Sequence, residues 1–240
     1  MSIGYIHHLF MFQGKRQEKP DNMEGTPGLL AIFTLAACFL VSGAQRTECH
    51  TVADIVILVD GSTKIRPTEF QEVRMFLRTL IEGLDIGSEK VRVGLAQFSD
   101  QPKMEFLLAD NTEKSSLLEK VDRLEQLKGG TATGTAIRFL QREFFNPAAG
   151  SRSGQRVPQI AVVLTDGDSV DDVVEPAKEL RQHGVNVYAI GVGEININKL
   201  KAIANRPSKY FLNSIRSFQV LQPLSQGALQ TVCDYGELEG

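Results

Sequence analysis

The sequence predicts an α/β protein with a doubly wound, mostly parallel sheet, one antiparallel edge strand and helices on both faces. Uninterrupted runs of apolar, β-branched residues have the composition of strands buried on both faces. Stretches whose apolar residues recur at helical spacing separate these runs, and strands that alternate with helices form parallel sheets. The 240 residues are 42% hydrophobic and 23% charged, which is enough apolar sequence for a complete core.

The first half of the predicted domain alternates strand and helix. Residues 54–60 (DIVILVD) form an almost wholly apolar strand. Pro67 is tolerated in the first turn of a helix. The apolar face of that helix is then formed by Phe70, Val73, Phe76, Leu77 and Leu80. Residues 91–98 form a second strand, a short connection makes residues 103–108 its antiparallel hairpin partner, and residues 116–127 form a short helix.

The second half repeats this alternation after a break at residues 128–133 (KGGTAT). Two further apolar strands are predicted at 159–165 and 185–192. Gly184 is a natural end for the helix between them, since glycine is common after the last helical residue. The remaining predicted elements are helices at 136–145, 173–183, 199–204 and 217–232, a loop at 146–158 and a short final strand at 210–212.

The first 44 residues differ from the rest. Residues 29–41 are thirteen uncharged, mostly apolar residues, fewer than the about 20 that span a bilayer. Ser42 and Ala44 follow with the spacing of a signal-peptidase site. We predict a leader at 1–44 with a cleavable signal peptide, with Met23 as an alternative start; a buried core helix or a signal anchor are the alternatives. No membrane span is expected after cleavage, and the remaining predicted parts are a short segment at 45–53, one domain at 54–233 and a tail at 234–240.

Two cysteines bracket the predicted domain. Cys38 lies within the apolar leader, whereas Cys49 precedes the first strand and Cys233 follows the last helix. In a secreted domain this placement predicts a bridge that joins its two ends. On the chain-entropy model such a long loop stabilises the fold by at most about 5 kcal/mol. Two free thiols, or pairing with another chain, are the alternatives.

Charge and motifs argue against several classes of function. The formal net charge is −3 and there is no block of like charge, so neither nucleic acid nor a membrane surface is an expected partner. The turn after the first strand reads DGSTKI rather than GxGxxG, and the P-loop and GxSxG motifs are missing. Ser62 has no evident histidine partner. The chain is therefore predicted not to be an enzyme, with a hydrolase that uses Asp60 and Asp166 as a less favoured alternative.

Three polar clusters lie where strands end or a helix begins. They are residues 60–64 (DGSTK), 129–134 (GGTATG) and 165–168 (TDGD). In open α/β sheets, ligands bind outside the carboxyl ends of the strands. Carboxylate and hydroxyl oxygens are the ligands that hard ions such as Mg²⁺ and Mn²⁺ prefer. The sequence therefore predicts a divalent-cation site at this edge of the sheet.

In this order, Asp60-x-Ser62, Thr131 within GGTATG and Asp166 within LTDG resemble the metal-ion-dependent adhesion site of von Willebrand factor type A domains. The resemblance covers roughly residues 51–233. The stretches VPQIAVVLTDG and GVNVYAIGVG most resemble the type A domains of collagen VI chains and related secreted matrix proteins. It implies a cation held by Asp60, Ser62, Thr131 and Asp166. It also implies a protein of the extracellular space or matrix that binds collagens or other matrix chains.

Position 64 departs from the family pattern, which has serine where this chain has Lys64. Its ammonium could pair with Asp60 and Asp166 and replace the cation, or its stem could turn outward and leave four ligands. One unit charge against another costs about 4 kcal/mol at about 4 Å and an effective dielectric near 20, and a divalent ion doubles this. Mg²⁺ or Mn²⁺ binding is therefore expected to be weak or absent. Adhesion through a modified metal site and matrix assembly without metal both remain open.

Neighbouring polar residues are expected to support the loops rather than bind the cation. Asp168 and Thr133 suit turns and helix caps. Asp171 and Asp172 are expected to cap or precede the helix that begins at Val173 rather than bind metal.

Overall fold

A computed structural model describes residues 51–110, 113–225 and 227–230. The leader at 1–44, Cys49 and Cys233 lie outside the described residues, so the signal peptide and the end-to-end bridge stay predictions. No helix within the described ranges is both long and apolar enough to cross a membrane.

One sheet of six strands organises the described part of the chain. The strands are β1 (Ala53–Asp60), β2 (Val91–Phe98), β3 (Pro102–Phe106), β4 (Gln159–Thr165), β5 (Val185–Val192) and β6 (Leu212–Ile215). Their order is β3-β2-β1-β4-β5-β6. Only the β2–β3 pair is antiparallel, and all other neighbouring pairs are parallel. The predicted fold class, including its antiparallel edge strand, is confirmed.

Helices complete the fold and cover the sheet. They are α1 (Pro67–Glu82), α2 (Lys114–Asp122), α3 (Thr133–Glu143), α4 (Val174–Gln182), α5 (Ile197–Ile203) and α6 (Ser208–Phe211). Residues 221–225 and 227–230 are also helical. Every residue of β1 and of β4 is buried, which explains why these strands are apolar on both faces. The five apolar residues predicted for the first helix are all buried in α1.

The observed boundaries of several elements differ from the prediction, most clearly in α2, α3 and the last strand. Helix α2 ends at Asp122 rather than 127, and α3 begins at Thr133, inside the stretch predicted to be a break. Tyr210 lies in the helical turn α6, whereas the last strand begins at Leu212, which is the first residue to pair with β5. A strand this short is defined by its neighbour rather than by its own sequence, so its position could not be read from composition.

The strand order places a switch point at the centre of the sheet. Strand β1 lies between β2 and β4, so the chain leaves β1 towards one edge of the sheet and later returns to its other side. Asp60 is paired with Phe98, and Val59 with Leu164, so β1, β2 and β4 end at the same edge. Loops that follow these strands diverge there and leave room for a ligand.

A buried ion pair closes the opposite, amino end of the sheet. The Arg152 side chain is 3% exposed, and its guanidinium lies 2.8 Å from the Asp54 carboxylate, which is fully buried. The Arg152 amide donates to the same carboxylate at 2.6 Å, and the Gln159 side chain donates to it at 2.7 Å. The guanidinium also donates to the carbonyls of Ala53 and Lys90. The loop predicted only as irregular therefore carries the cation that pairs with β1.

Candidate metal centre

The four predicted ligands come from three loops at the carboxyl end of the sheet. Asp60 ends β1, Ser62 follows it, and Asp166 follows β4 directly, while Thr131 lies just before α3. The Asp60 carboxylate accepts from the Ser62 amide at 2.9 Å and from the Thr165 hydroxyl at 2.9 Å. Asp60 is therefore fixed between the loop after its own strand and the end of β4.

Backbone hydrogen bonds tie the loop after β1 to the loop that precedes α3. The Thr63 amide donates to the Gly129 carbonyl at 2.9 Å, and the Gly129 amide donates to the Thr63 hydroxyl at 2.8 Å. The Lys128 amide donates to the Gly61 carbonyl at 2.8 Å. These bonds hold Thr131, two residues further on, beside the loop that carries Ser62.

The turn between β2 and β3 holds the peptide groups on either side of Thr131. The Gly130 amide donates to the Asp100 carboxylate at 3.0 Å, and the Ala132 amide donates to the Ser99 carbonyl at 2.8 Å. The Thr131 backbone is thus fixed on both sides, which leaves its side chain free to face the site.

Asp171 links the loop after β4 to the start of α3. Its carboxylate accepts from the amides of Gly134 and Thr135, at 2.8 and 2.7 Å, and from the Thr135 hydroxyl at 2.7 Å. Burial opposes ionisation of Asp171, but hydrogen bonds led by one from Ser169 lower its pKa below the ordinary value. Asp171 precedes α4, as expected, but its carboxylate caps α3 from this distant loop.

Asp172 does cap α4, as expected, through the amides of Val174 and Glu175. The loop after β4 also contacts α3 at Gly134, where an added Cβ would lie 1.8 Å from the Asp172 carbonyl oxygen. Asp168 accepts from the Asn196 amide, in the loop after β5, at 3.2 Å, so its observed contact joins two loops.

Buried oxygen atoms around the site lack hydrogen-bond partners within the described part of the chain. They are Oγ of Ser62, Oγ1 of Thr131, Oγ1 of Thr133 and Oδ1 of Asp166. The cap predicted for Thr133 is therefore not made by its hydroxyl. Most buried polar side-chain atoms in proteins have a partner, so a cluster of exceptions calls for one. Three of these four atoms belong to predicted ligands.

The two carboxyl groups of the site carry more negative charge than their surroundings favour. Burial raises the pKa of Asp60, against the opposing effect of its hydrogen bonds. Burial, and then the charge of Asp60, raise the pKa of Asp166 to about 7, although the charge of Lys64 opposes this. A cation between the two carboxylates would remove the repulsion, because an opposite charge favours the ionised form.

Lys64 lies at the mouth of the site. Its ammonium neither pairs with Asp60 and Asp166 nor turns fully away from them. The residue is exposed, and its Nζ lies 2.6 Å from the point where a Cβ on Gly167 would be. Within the residues that the structure describes, no ion pair joins this ammonium to Asp60 or Asp166. The stem therefore crosses the loop of Asp166, close enough to act on its charge but without a direct contact.

The donor atoms fit a hard cation. In the described ranges, no group of three or more His, Cys, Asp and Glu side chains is placed to hold a metal ion. The two carboxylates here would therefore act together with hydroxyl oxygens and water, a set that suits Mg²⁺ or Mn²⁺ better than a soft ion.

The model of the von Willebrand factor type A domain matches residues 54–226. The chain belongs to this family. The collagen alpha-4(VI) chain of Mus musculus is 39% identical over 220 residues, which are 88% of this chain and 10% of the relative. Matrilin-1 of Gallus gallus is 35% identical over 194 residues, which are 80% of this chain and 39% of the relative. The predicted likeness to collagen VI type A domains is confirmed, and the chain spans less than half the length of either relative.

Solved structures show the same type A fold. Proximal thread matrix protein 1 of the mussel byssus, described with a zinc-occupied MIDAS motif, has a TM-score of 0.73 and 26% identity over 78% of this chain and 49% of its own. Manganese-loaded Plasmodium vivax TRAP protein has a TM-score of 0.60 at 22% identity, over 75% of this chain and 74% of its own, and it shares the fold alone.

The sequence placed Thr165 in a polar cluster without giving it a role, and it did not single out Ser169. The hydroxyl of Thr165 binds Asp60, and the Ser169 hydroxyl accepts from the Thr133 amide at 3.0 Å. The pairing of β1 with β4 could have identified Thr165, because it places the residue after Leu164 beside the one after Val59. Ser169 gave no such signal, since its partner Thr133 is 36 residues away at the start of α3.

Proposed function

We propose that this chain is a protein-binding module of the extracellular matrix that is not an enzyme, with a type A metal site weakened by Lys64. The unpartnered buried oxygens of Ser62, Thr131 and Asp166 carry the proposal. Each belongs to a position that the family uses for its cation. The matching collagen and matrilin chains are matrix proteins, which supports extracellular localisation and binding to collagens or other matrix chains.

The four predicted ligands would contribute differently to cation binding. Asp60 and Asp166 supply negative charge, and Ser62 and Thr131 supply neutral oxygens, so a bound Mg²⁺ or Mn²⁺ would offer an open position to an acidic group of the partner. Lys64 opposes this occupancy, because its ammonium lies over Gly167 beside the Asp166 carboxylate.

The second candidate function is matrix assembly that does not use metal. It is favoured by the same ammonium, whose charge already offsets part of the negative charge at Asp166. Sensitivity of matrix-protein binding to EDTA separates the two functions, since only the first requires the cation. Hydrolytic turnover, lost on substitution of Asp60, would instead support the less favoured hydrolase.

Calorimetric titration with Mg²⁺ and Mn²⁺ tests the metal site. Lys64→Ser returns a hydroxyl and removes a positive charge, so we expect cation affinity to rise by about tenfold or more, equivalent to about 1.4 kcal/mol. Lys128→Asn is the matched control, because it removes one charge from the adjacent loop at a residue with φ of 69°, which asparagine tolerates. Equal affinities in the native chain and Lys64→Ser would contradict the proposed role of Lys64.

Secretion and the bridge belong to the same proposal. Removal of the leader after Ala44 would place Cys49 near the new amino terminus, in an oxidising compartment where it can pair with Cys233. Peptide mapping without reduction tests the bridge, and two free thiols would rule it out.

A further inference from the structure

Two Asp-Gly sequences lie at the candidate metal centre. They are Asp60-Gly61 at the end of β1 and Asp166-Gly167 after β4, and the chain contains no other Asp-Gly or Asn-Gly pair. Such a pair can rearrange without any enzyme, because the glycine amide nitrogen can attack the side-chain carboxyl carbon of the aspartate and glycine has no Cβ to obstruct it. The attack requires an amide that is not firmly hydrogen-bonded and a chain with room to turn.

The first pair is held firmly. The Gly61 amide donates to the Phe98 carbonyl at 2.8 Å, and the Gly61 carbonyl accepts from the Lys128 amide at 2.8 Å. The Asp60 carboxylate itself accepts two hydrogen bonds. A Cβ on Gly61 would lie 2.7 Å from Oε1 of the buried Gln97, so the surroundings of this peptide are tightly packed. Asp60-Gly61 therefore meets neither requirement for the attack.

The second pair is held loosely. Asp166-Gly167 follows the last paired residue of β4, so no strand partner fixes it. Within the described residues, the Gly167 amide donates only to the Thr165 hydroxyl, at 3.5 Å, which is longer than the usual range for such a bond. Oδ1 of Asp166 has no hydrogen-bond partner in the same part of the chain. The three atoms nearest to a Cβ on Gly167 all belong to the flexible side chain of Lys64, which can move aside.

Lys64 adds a positive charge beside this second pair. Its Nζ lies 2.6 Å from the point where a Cβ on Gly167 would be. During the attack the amide nitrogen gives up its proton, and the carboxyl carbon passes through a tetrahedral state whose oxygens carry negative charge. A cation next to developing negative charge stabilises it. The lysine at position 64, where the family pattern has serine, therefore favours the rearrangement in this chain.

We propose that Asp166-Gly167 is a site of spontaneous conversion to isoaspartate. The Gly167 nitrogen forms a bond to Cγ of Asp166, and a carboxyl C–O bond breaks with loss of one water, which gives a cyclic succinimide. Hydrolysis adds one water and breaks the bond between the nitrogen and the former main-chain carbonyl carbon, so the main chain then runs through Cγ. The mass of the chain is unchanged, and neither an oxidant nor a reductant takes part.

The conversion would remove one predicted ligand from the metal centre. The main chain gains one carbon at position 166, and the carboxylate that remains is attached one bond closer to the chain. The isomer therefore no longer presents its oxygens beside Asp60, and the loop after β4 has to adjust to the longer chain. We expect chains that carry the isomer to lose cation affinity. This consequence depends on the proposed metal site, whereas the rearrangement itself does not.

The test incubates the full chain at physiological pH and temperature in EDTA and follows isoaspartate at both pairs by peptide mapping. Because release of one main-chain hydrogen bond alone slows a reaction by about fivefold, isoaspartate should form at least about fivefold faster at Asp166 than at Asp60. In urea, where neither pair is held, the two rates should be similar. In water enriched in oxygen-18, the product should carry one heavy oxygen, which hydrolysis of the succinimide introduces.

Three variants separate the contributions to the rate at Asp166. Gly167→Ala should lower it by at least about threefold, because the added methyl group restricts the turn of the chain. Lys64→Ser should lower it by about threefold, and Lys128→Asn, which removes one charge from the adjacent loop, should leave it unchanged.

Several outcomes would contradict the proposal. Absence of isoaspartate at Asp166, equal rates at Asp60 and Asp166 in the folded chain, or a product without heavy oxygen would each overturn the assignment of the site. A rate unchanged in Lys64→Ser would overturn the part given to Lys64. Because EDTA removes any cation throughout, failure of this proposal is distinct from failure of the metal site, which calorimetry tests separately.

Discussion

Each end of β1 buries one aspartate, but the two carboxylates have different partners. Asp54, at the amino end, is fully buried against the guanidinium of Arg152 and the amide of Gln159. Asp60, at the carboxyl end, is equally buried but accepts from an amide and a hydroxyl. The Asp54 carboxylate therefore has a permanent cation partner, Arg152, from the chain itself. The Asp60 carboxylate shares its site with Asp166 and forms no ion pair with Lys64 in the described part of the chain.

This difference shows how one sheet can combine stability with binding. A buried ion pair with all its hydrogen bonds satisfied fixes the chain but offers nothing to a ligand. Buried oxygens without partners weaken the fold but favour any cation that fills the space between them. The amino end of the sheet is therefore predicted to determine stability, and the carboxyl end to determine binding.

Loss of Arg152 should have the largest effect on stability. Arg152→Met leaves the Asp54 carboxylate buried without a cation, so we expect the free energy of unfolding to fall by about 3–5 kcal/mol. Urea denaturation measures this free energy of unfolding. Arg142→Met is the control, since Arg142 pairs with Glu143 at the surface and should contribute less than about 1 kcal/mol.

A double variant tests whether this loss comes from the ion pair, and it should stay folded even if Arg152→Met alone does not. Asp54→Asn combined with Arg152→Met removes both charges, so the pair should lose less than the sum of the single losses. Additive losses would show that the two side chains act independently, against the described ion pair.

Loss of the Asp166 charge should have the opposite sign. In EDTA at pH 8, Asp166→Asn relieves the repulsion with Asp60, and we expect the free energy of unfolding to rise by about 1–2 kcal/mol after allowance for solvent screening. The pKa of Asp166 is raised from 3.8 to about 7 in the folded chain. The folded chain therefore binds more protons than the unfolded chain between these values, and the native protein loses stability as pH rises from about 4 to 7. Urea denaturation at pH 4 and pH 8 should show the gain only at pH 8, and a gain at both would contradict the origin in charge.

Asp171 should show the smallest effect and the reverse dependence on pH. Asp171→Ala removes the cap of α3, which should lower the free energy of unfolding by about 1 kcal/mol. Because the pKa of Asp171 is lowered in the folded chain, its contribution is present above the unfolded value of 3.8 and is lost as pH falls through the lower folded value. Thermal unfolding at pH 7 and pH 2.5 measures the loss of stability and its dependence on pH. Substitution of the exposed Asp168 by alanine is the control. An unchanged melting temperature at pH 7 would show that the cap is not needed.

The sequence predicted correctly those elements that are determined by their own residues rather than by distant pairing partners. The bounds of β2, β4 and β5 agree with the predicted 91–98, 159–165 and 185–192, because each is a mostly apolar run between polar turns. The final strand was misplaced, since Leu212–Ile215 is a strand only through its pairing with β5.

The candidate site divides in the same way. Asp60, Ser62, Thr131 and Asp166 were predicted because each belongs to a short motif at the end of a strand or the start of a helix. Arg152 was missed because its partner Asp54 is 98 residues away and a loop of Gly, Ser and Pro gave no sign of burial. The position of the Lys64 side chain could not be predicted either, since its flexible stem can follow several paths with similar energy.

The contact between Gly134 and the Asp172 carbonyl has a consequence for inherited variation. Any other residue at position 134 would place a Cβ 1.8 Å from that oxygen, so the loop that also carries Asp166 would have to move. A Cβ at Gly154, by contrast, would meet nothing within 4 Å. Missense alleles at these two glycines should therefore differ in frequency in a population. Those at Gly154 should persist as neutral polymorphism, whereas those at Gly134 should be removed by selection.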